Sequence, residues 1–131
     1  TSNICTNQGL LVTAATIHMS LLGNTGLYNV AATCAATTRD LVKRLTAIDG
    51  VERVFDSAYF HECALKLPAA AADVLAELAE RDIIGGLDLS RFYDGYENTI
   101  LVCATETKTD EDLAAFAEAL GEVLAKHSEA A

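Results

Sequence analysis

A polar cluster, DLSRFYDGYEN, separates two apolar stretches between residues 88 and 98. Its Arg91, Tyr93 and Tyr96 combine a planar cation with two phenols, a set that can hold an anion or dock a partner chain. A solvated loop with a structural Arg-Asp pair is the competing interpretation. The sequence therefore indicates Arg91, Tyr93 and Tyr96 as candidate substrate or interface residues and leaves both interpretations open.

Other histidine, cysteine and glycine motifs offer weaker chemistry. His61 and Cys63 share one side of an alternating segment, as two metal ligands could, but no further ligand follows nearby and core packing is favoured. Gly85 and Gly86 lack the spacing and the lysine of a phosphate loop, which favours a tight turn. His18 lies in an apolar segment, which favours a core histidine over a base. No pair makes a convincing nucleophile and base, so we expect no catalytic residue and no metal ion.

Composition narrows the class of protein. The chain has 131 residues, of which 51% are hydrophobic, and its net charge is −10. These values fit one folded domain that repels nucleic acid and anionic membrane surfaces. Its four cysteines have no metal-ligand spacing, and we expect them to be reduced and buried in a cytoplasmic protein. The longest apolar stretch, residues 9–22, is too short to span a bilayer.

The first part of the chain is helical by its apolar pattern. Residues 6–22 are apolar on nearly every face, which predicts a helix buried on more than one side. The turn-forming residues 23–26 should end it before a second helix over about 27–47. The inward stripe of that second helix has the spacing of one helical face and comprises Leu27, Val30, Ala31, Cys34, Leu41, Val42 and Leu45.

The remainder, about residues 51–127, has strand and helix patterns in the order β-β-α-β-β-α. The alternation at residues 60–67 predicts a half-buried strand with Ala64 on its exposed side. Thr109 and Asp112 have the spacing of a capping box at the start of the last helix. Together these patterns predict an α+β fold in a single domain, 1–131, with a mostly antiparallel or mixed sheet packed by helices.

Four segments carry a resemblance that covers almost the whole chain. They are TSNICTNQ, AATIHMSLLG, IIGGLDLSRFY and ENTILVCATE, within a match that runs from Thr1 to about Leu124. As a set they resemble the glycine cleavage system P-protein, which is glycine dehydrogenase (decarboxylating). More narrowly, they resemble the C-terminal domain of subunit 1 in the two-subunit bacterial form.

This resemblance implies the small C-terminal domain of a fold-type-I pyridoxal phosphate (PLP) enzyme. The family decarboxylates glycine and passes the aminomethyl group to the lipoylated H-protein, and the Schiff-base lysine belongs to the second P-protein subunit. The chain would then be one lobe of a larger protein, inactive by itself, that contributes a subunit interface. It would carry no covalently bound PLP, because none of its lysines lies in a His-Lys motif; they are Lys43, Lys66, Lys108 and Lys126.

The resemblance also gives the opening residues a role. In related enzymes a threonine at the entry to the small domain hydrogen-bonds the phosphate of the neighbouring subunit's cofactor. Thr1, Ser2 and Asn3 are therefore candidate ligands of the partner's PLP phosphate. The alternative is an ordinary N-cap, in which Ser2, Asn3 or Thr6 satisfies free N–H groups of the first helix.

Two alternatives to the glycine decarboxylase lobe remain. One is a free-standing α+β module that binds a small metabolite or a protein through residues 91–96. The other is a complete small enzyme that uses His61 or His18. Under the resemblance, self-association is also expected, because a face normally covered by the missing large domain would leave an apolar patch.

Overall fold

The structure, a computed structural model, describes residues 8–129. The chain forms two compact units, one ending at Ala32 and the other beginning at Thr33. The predicted extent of the domain, 1–131, stays a prediction. The elements confirm the α+β class and are α1 (Gly9–Leu45), β1 (Glu52–Arg53), β2 (Glu62–Lys66), α2 (Ala71–Ala79), β3 (Leu87–Asp88), a 3-10 turn (Leu89–Arg91), β4 (Thr99–Cys103) and α3 (Asp110–Glu129).

The part of α1 that precedes Thr33 is apolar and largely exposed. Leu10 is 83% exposed and Leu21 is 82% exposed, which corrects the expectation that this helix is buried on more than one side. His18 is exposed as well, so it is not a core histidine. An apolar helix pattern indicates that the helix is buried against another surface, but it does not show whether that surface belongs to the same chain or to another one.

Gly23 breaks the helical geometry of α1. Its backbone lies at φ 62 and ψ −173, a conformation that glycine adopts without a Cβ clash, and helical residues continue on both sides. The predicted turn over residues 23–26 is therefore reduced to one residue. The hydroxyl groups before the break donate to carbonyls four residues earlier, as in Thr13 to Gly9 at 2.9 Å and Ser20 to Thr16 at 2.7 Å.

By length and composition alone, α1 could cross a membrane. It has 37 residues, and an 18-residue window within it has a mean hydropathy of 1.3. The sequence predicted that the apolar stretch at residues 9–22 is too short to span a bilayer, but the helix that contains this stretch continues to Leu45. A signal sequence or the core helix of a soluble protein meets the same criteria, so this property does not decide the location of the protein.

In the second unit, four strands form an antiparallel sheet in the order β1-β2-β4-β3. The central pair, β2 and β4, has Leu65 opposite Ile100 and Glu62 opposite Cys103. Since side chains alternate along a strand, Leu65 and Ile100 share one face while Glu62 and Cys103 share the other. The edge strands β1 and β3 have only two residues each.

One hydrophobic core joins the inner face of the sheet to the helices. Thr38 is also completely buried, and its hydroxyl donates to the carbonyl of Ala104 at 2.7 Å, which satisfies both groups. The predicted inward stripes of the helices are confirmed for most residues from Cys34 onward. The largest apolar side chains that are less than 2% exposed are Leu45, Leu65, Leu67, Leu78, Ile100, Leu120, Val74, Val102 and Val123.

Two positions depart from the predicted burial. Ala64 is only 7% exposed although it alternates with the exposed Glu62 and Lys66, because its small side chain lies opposite Leu101 in the neighbouring strand. Leu27, a residue of the predicted inward stripe, is 41% exposed.

The capping box predicted at the start of α3 is confirmed. The backbone N–H of Thr109 donates to Asp112 Oδ2 at 2.8 Å, and the N–H of Asp112 donates to Thr109 Oγ1 at 3.2 Å. Hydrogen bonding of the Asp112 carboxylate to the backbone N–H of Thr109, and secondly to its side chain, lowers the pKa of this carboxyl group from its ordinary value. The charged carboxylate therefore helps to hold the first turn of α3.

We expect the Asp112→Asn variant to be less stable than the wild type at neutral pH and to lose less stability in acid. Because the pKa of Asp112 is lower in the folded state, its contribution is present above the unfolded-state pKa of about 3.9 and disappears as the pH falls through the folded-state pKa. Urea unfolding measured from pH 7 down to pH 3 checks this. Asp56→Asn, in an exposed loop, is the control, and equal acid sensitivity of wild type and Asp112→Asn would contradict the prediction.

Candidate functional site

A groove beside β4 in the second unit, the β4 groove, has a volume of about 630 Å³. One wall is the loop at residues 82–87, and another is the start of α3. Its charged side chains are Glu62, Asp82, Asp112 and Lys108, so acidic groups outnumber basic ones. This charge balance favours a cation or a basic group over a phosphate.

The two glycines that line this groove are required by close packing. Gly86 has φ +136, and a Cβ atom there would lie 2.5 Å from the carbonyl oxygen of Leu101. A Cβ atom on Gly85 would lie 2.7 Å from Leu78 Cδ1. Glycine at both positions therefore lets the loop approach β4 and α2, which is a structural role. The predicted tight turn does not lie at these glycines, because the backbone there is irregular and the turn occupies residues 80–82.

The Arg91 cluster forms an exposed loop between β3 and β4. Asp88 accepts a hydrogen bond from the N–H of Ser90 at 2.9 Å and thereby caps the 3-10 turn that ends at Arg91. The Tyr93 and Tyr96 rings meet edge to face, with centroids 6.1 Å apart. Within residues 8–129 Arg91 makes no salt bridge, so the predicted structural Arg-Asp pair is not formed there. The exposed guanidinium remains available to a ligand or a partner.

Thr1, Ser2 and Asn3, the candidate ligands of the partner's PLP phosphate, lie outside the described residues, as does Cys5. Their proposed contact with a phosphate and the alternative of an N-cap therefore both stay predictions.

The three described cysteines are free thiols in different surroundings. Cys63 belongs to the core, whereas Cys103 is exposed, which corrects the expectation that every cysteine is buried. Partial burial and the neighbouring Glu62 raise the pKa of Cys103. Cys34 donates a hydrogen bond to Glu106 Oε2 at 2.9 Å, and this bond is the main reason that its pKa is raised. These thiols are therefore weak nucleophiles at neutral pH.

The sheet brings together three side chains that the sequence did not associate. One potential ligand atom each from His61, Glu62 and Cys103 lies within 4.8 Å of the others. Core packing, which the sequence favoured for His61 and Cys63 over metal binding, is confirmed for Cys63, whereas His61 is only partly buried and lies in this group. Only the β2–β4 register reveals this cluster, so residue spacing could not have found it.

Residues 1–120 match the family described as glycine cleavage system P-protein. The chain belongs to this family. The P-protein family assignment agrees with the small α+β fold described above, and it confirms the resemblance inferred from the four sequence segments.

Named relatives place the chain more narrowly within the P-protein family. The probable glycine dehydrogenase (decarboxylating) subunit 1 of Methylococcus capsulatus is 58% identical over 124 residues, which are 95% of this chain and 27% of that protein. The protein of the same name from Alcanivorax borkumensis is 59% identical over 125 residues, with the same coverage. The chain thus spans about 27% of the length of these relatives.

A solved structure agrees with these sequence matches. The crystal structure of glycine decarboxylase (P-protein) of the glycine cleavage system, in inhibitor-bound form, superimposes with a TM-score of 0.82 and 35% sequence identity. The similarity covers 93% of this chain and 28% of that chain.

Proposed function

We propose that the chain is the C-terminal domain of the non-lysine subunit of a two-subunit glycine decarboxylase. In the proposed reaction, glycine and the lipoylated H-protein give aminomethyl-lipoyl H-protein and CO₂. The observation that carries this proposal is the similarity to a glycine decarboxylase over 93% of the chain, at a TM-score of 0.82. The relatives' name, glycine dehydrogenase (decarboxylating) subunit 1, supports the assignment to a multi-subunit enzyme.

The charge of the β4 groove argues that PLP is held elsewhere in the complex. A site for PLP needs a lysine amine together with donors for a phosphate. In this groove Lys108 is accompanied by the carboxylates of Glu62, Asp82 and Asp112, which would repel a phosphate. This grouping does not fit PLP, so we assign the Schiff-base lysine to the second subunit. Thr1, Ser2 and Asn3 remain the proposed contacts of this chain with the partner's cofactor.

Two exposed surfaces suit the proposed role in assembly. The first part of α1 exposes Leu10, Leu11 and Leu21 at 83%, 63% and 82%, which is costly for a surface that stays in water. In the second unit, Phe92 and Tyr93 are 62% and 61% exposed beside Arg91. Exposed aromatics with an arginine are typical of interface centres. We therefore propose the Arg91 loop as a subunit contact, with self-association expected when the chain is alone.

The proposed location is the cytoplasm, where the second subunit and the H-protein would be encountered. The three described cysteines are free, in agreement with a reducing compartment. The acidic net charge of −10 disfavours anionic membrane surfaces and nucleic acid as partners.

The proposed function predicts that this chain alone does not decarboxylate glycine and that the complex does. Release of labelled CO₂ from glycine should require a full-length subunit 1 that contains this domain, the second subunit, PLP and lipoylated H-protein. Treatment of the isolated chain with PLP and borohydride should label no single lysine. CO₂ release by the isolated chain, or a stable adduct mapped to one of its lysines, would overturn the proposal.

The Arg91 loop provides a second arm of this experiment. In full-length subunit 1, Arg91→Ala should weaken association with the second subunit about tenfold or more, since arginine at an interface centre contributes about 1.4 kcal/mol or more. Arg39→Ala, which also removes an exposed arginine, is the matched control. Equal affinities of both variants for the second subunit would remove Arg91 from the interface without affecting the assignment of the domain.

A further inference from the structure

We propose that His61, Glu62 and Cys103 form a binding site for a divalent transition-metal ion, with Zn²⁺ as the ion of best fit. One potential ligand atom of each residue lies within 4.8 Å of the others. The set offers an imidazole nitrogen, a carboxylate oxygen and a sulfur atom, all of which are established zinc ligands. This inference is independent of the proposed function in glycine decarboxylation.

The sheet fixes two of the three ligands relative to each other. Glu62 and Cys103 are direct partners in the antiparallel pairing of β2 with β4, so their side chains leave the same face of the sheet as neighbours. His61 directly precedes the first residue of β2 and lies in a bend. Because His61 is outside the regular strand, its side chain need not alternate with Glu62, and the imidazole reaches the same cluster.

His61 provides a second, independent observation. Its Nδ1 atom is buried and has no hydrogen-bond partner within the described part of the chain. The ring of Phe60 meets the imidazole edge to face, with centroids 4.7 Å apart and planes at 85°, which restricts the orientation of the imidazole. A buried nitrogen is normally satisfied by a donor, a water molecule or a metal ion. Coordination of an ion through Nδ1 would satisfy this nitrogen.

The chemistry of the three groups selects among metals. A thiolate with an imidazole and a carboxylate favours zinc over magnesium or calcium, which prefer oxygen ligands alone. Ligand atoms on a tetrahedral zinc ion lie roughly 3.5 Å apart at bond lengths of about 2.0–2.3 Å. The exposed Glu62 and Cys103 side chains can rotate to make this adjustment. Three protein ligands leave a fourth position for water or another donor.

Titration of the reduced chain with Co²⁺, a spectroscopic substitute for zinc, tests the proposal. We expect a saturable cobalt–thiolate absorption band that Zn²⁺ abolishes by displacing cobalt. Cys103→Ser should remove the band, while His61→Ala and Glu62→Gln should weaken binding about tenfold or more. Zn²⁺ should also raise the Tm of the wild type, because a metal that binds only the folded state stabilises it.

Cys34→Ser is the matched control, since it removes a thiol of the same domain that is outside the three-residue cluster and already bonded to Glu106. It should retain the band and the Tm increase. Absence of a saturable band in the wild type, survival of the band in Cys103→Ser, or its loss in Cys34→Ser alone would overturn the proposal. If Cys103→Ser does not fold, the Glu62→Gln variant provides the test, because Glu62 is exposed and its substitution should not disturb folding. An unchanged Zn²⁺ affinity in Glu62→Gln would reject the site.

Discussion

Leu120→Ala should lower the free energy of unfolding of the second unit by about 2–5 kcal/mol. Leu120 is 0% exposed and belongs to the core cluster that joins α3 to the sheet. Its truncation removes buried methyl groups and leaves a cavity, because the backbone of the surrounding helices and strands relaxes only partly. Urea unfolding followed by far-ultraviolet circular dichroism measures the change.

Leu21→Ala is the matched control for this substitution. It deletes the same atoms from a helical leucine that is 82% exposed, so the free energy of unfolding should change by less than about 0.5 kcal/mol. Similar losses in both variants would mean that exposure in this structure does not report which leucines hold the fold together.

Gly86→Ala should destabilise the fold by about 3 kcal/mol or more. The backbone conformation at φ +136 costs about 1–3 kcal/mol for a residue with a side chain. In addition, the new methyl group would lie 2.5 Å from the Leu101 carbonyl oxygen, which cannot move without disturbing the pairing of β3 with β4. The unfolding transition should therefore shift to much lower urea concentration.

Gly121→Ala is the matched control, because the same substitution at this position should raise the stability of the fold instead of lowering it. Gly121 lies inside α3, and no atom of residues 8–129 comes within 4 Å of the position that its Cβ atom would take. Alanine should therefore stabilise the helix by about 0.5–1 kcal/mol. If Gly86→Ala were tolerated as well as Gly121→Ala, the close approach between the loop and β4 would be wrong.

Much of the second unit could be predicted from the sequence because its signals are local. Thr109 and Asp112 form the predicted capping box, whose geometry needs only four consecutive residues. The stripe of α3 that contains Leu113 and Leu120 is buried as its spacing predicts, because one helical face meets the core of the same chain.

The errors arose where structure depends on distant residues. The resemblance implied an uncovered apolar face, but the apolar pattern could not assign it to Leu10 and Leu21, since such a pattern does not identify the chain that covers it. Ala64 is buried by its partner across the sheet, which alternation within β2 does not reveal. The single-residue break at Gly23 differs from the predicted turn because the residues after it satisfy their backbone groups in the helix.

The candidate site illustrates the same limit. Arg91, Tyr93 and Tyr96 could be singled out because they are close in sequence, and the structure leaves them in an exposed loop. The cluster of His61, Glu62 and Cys103 could not be found, because the strand register that unites it is a property of the folded sheet.

The brevity of β1 and β3, two residues each, limits how this protein can aggregate. Both strands lie at the margins of the sheet, so each margin offers very few unpaired backbone N–H and C=O groups to an incoming strand. Amyloid-like growth by strand addition is therefore disfavoured. Other chains are therefore expected to contact this domain through its side chains. Side-chain contacts can select one partner, whereas backbone pairing at a sheet edge does not depend on the partner's sequence.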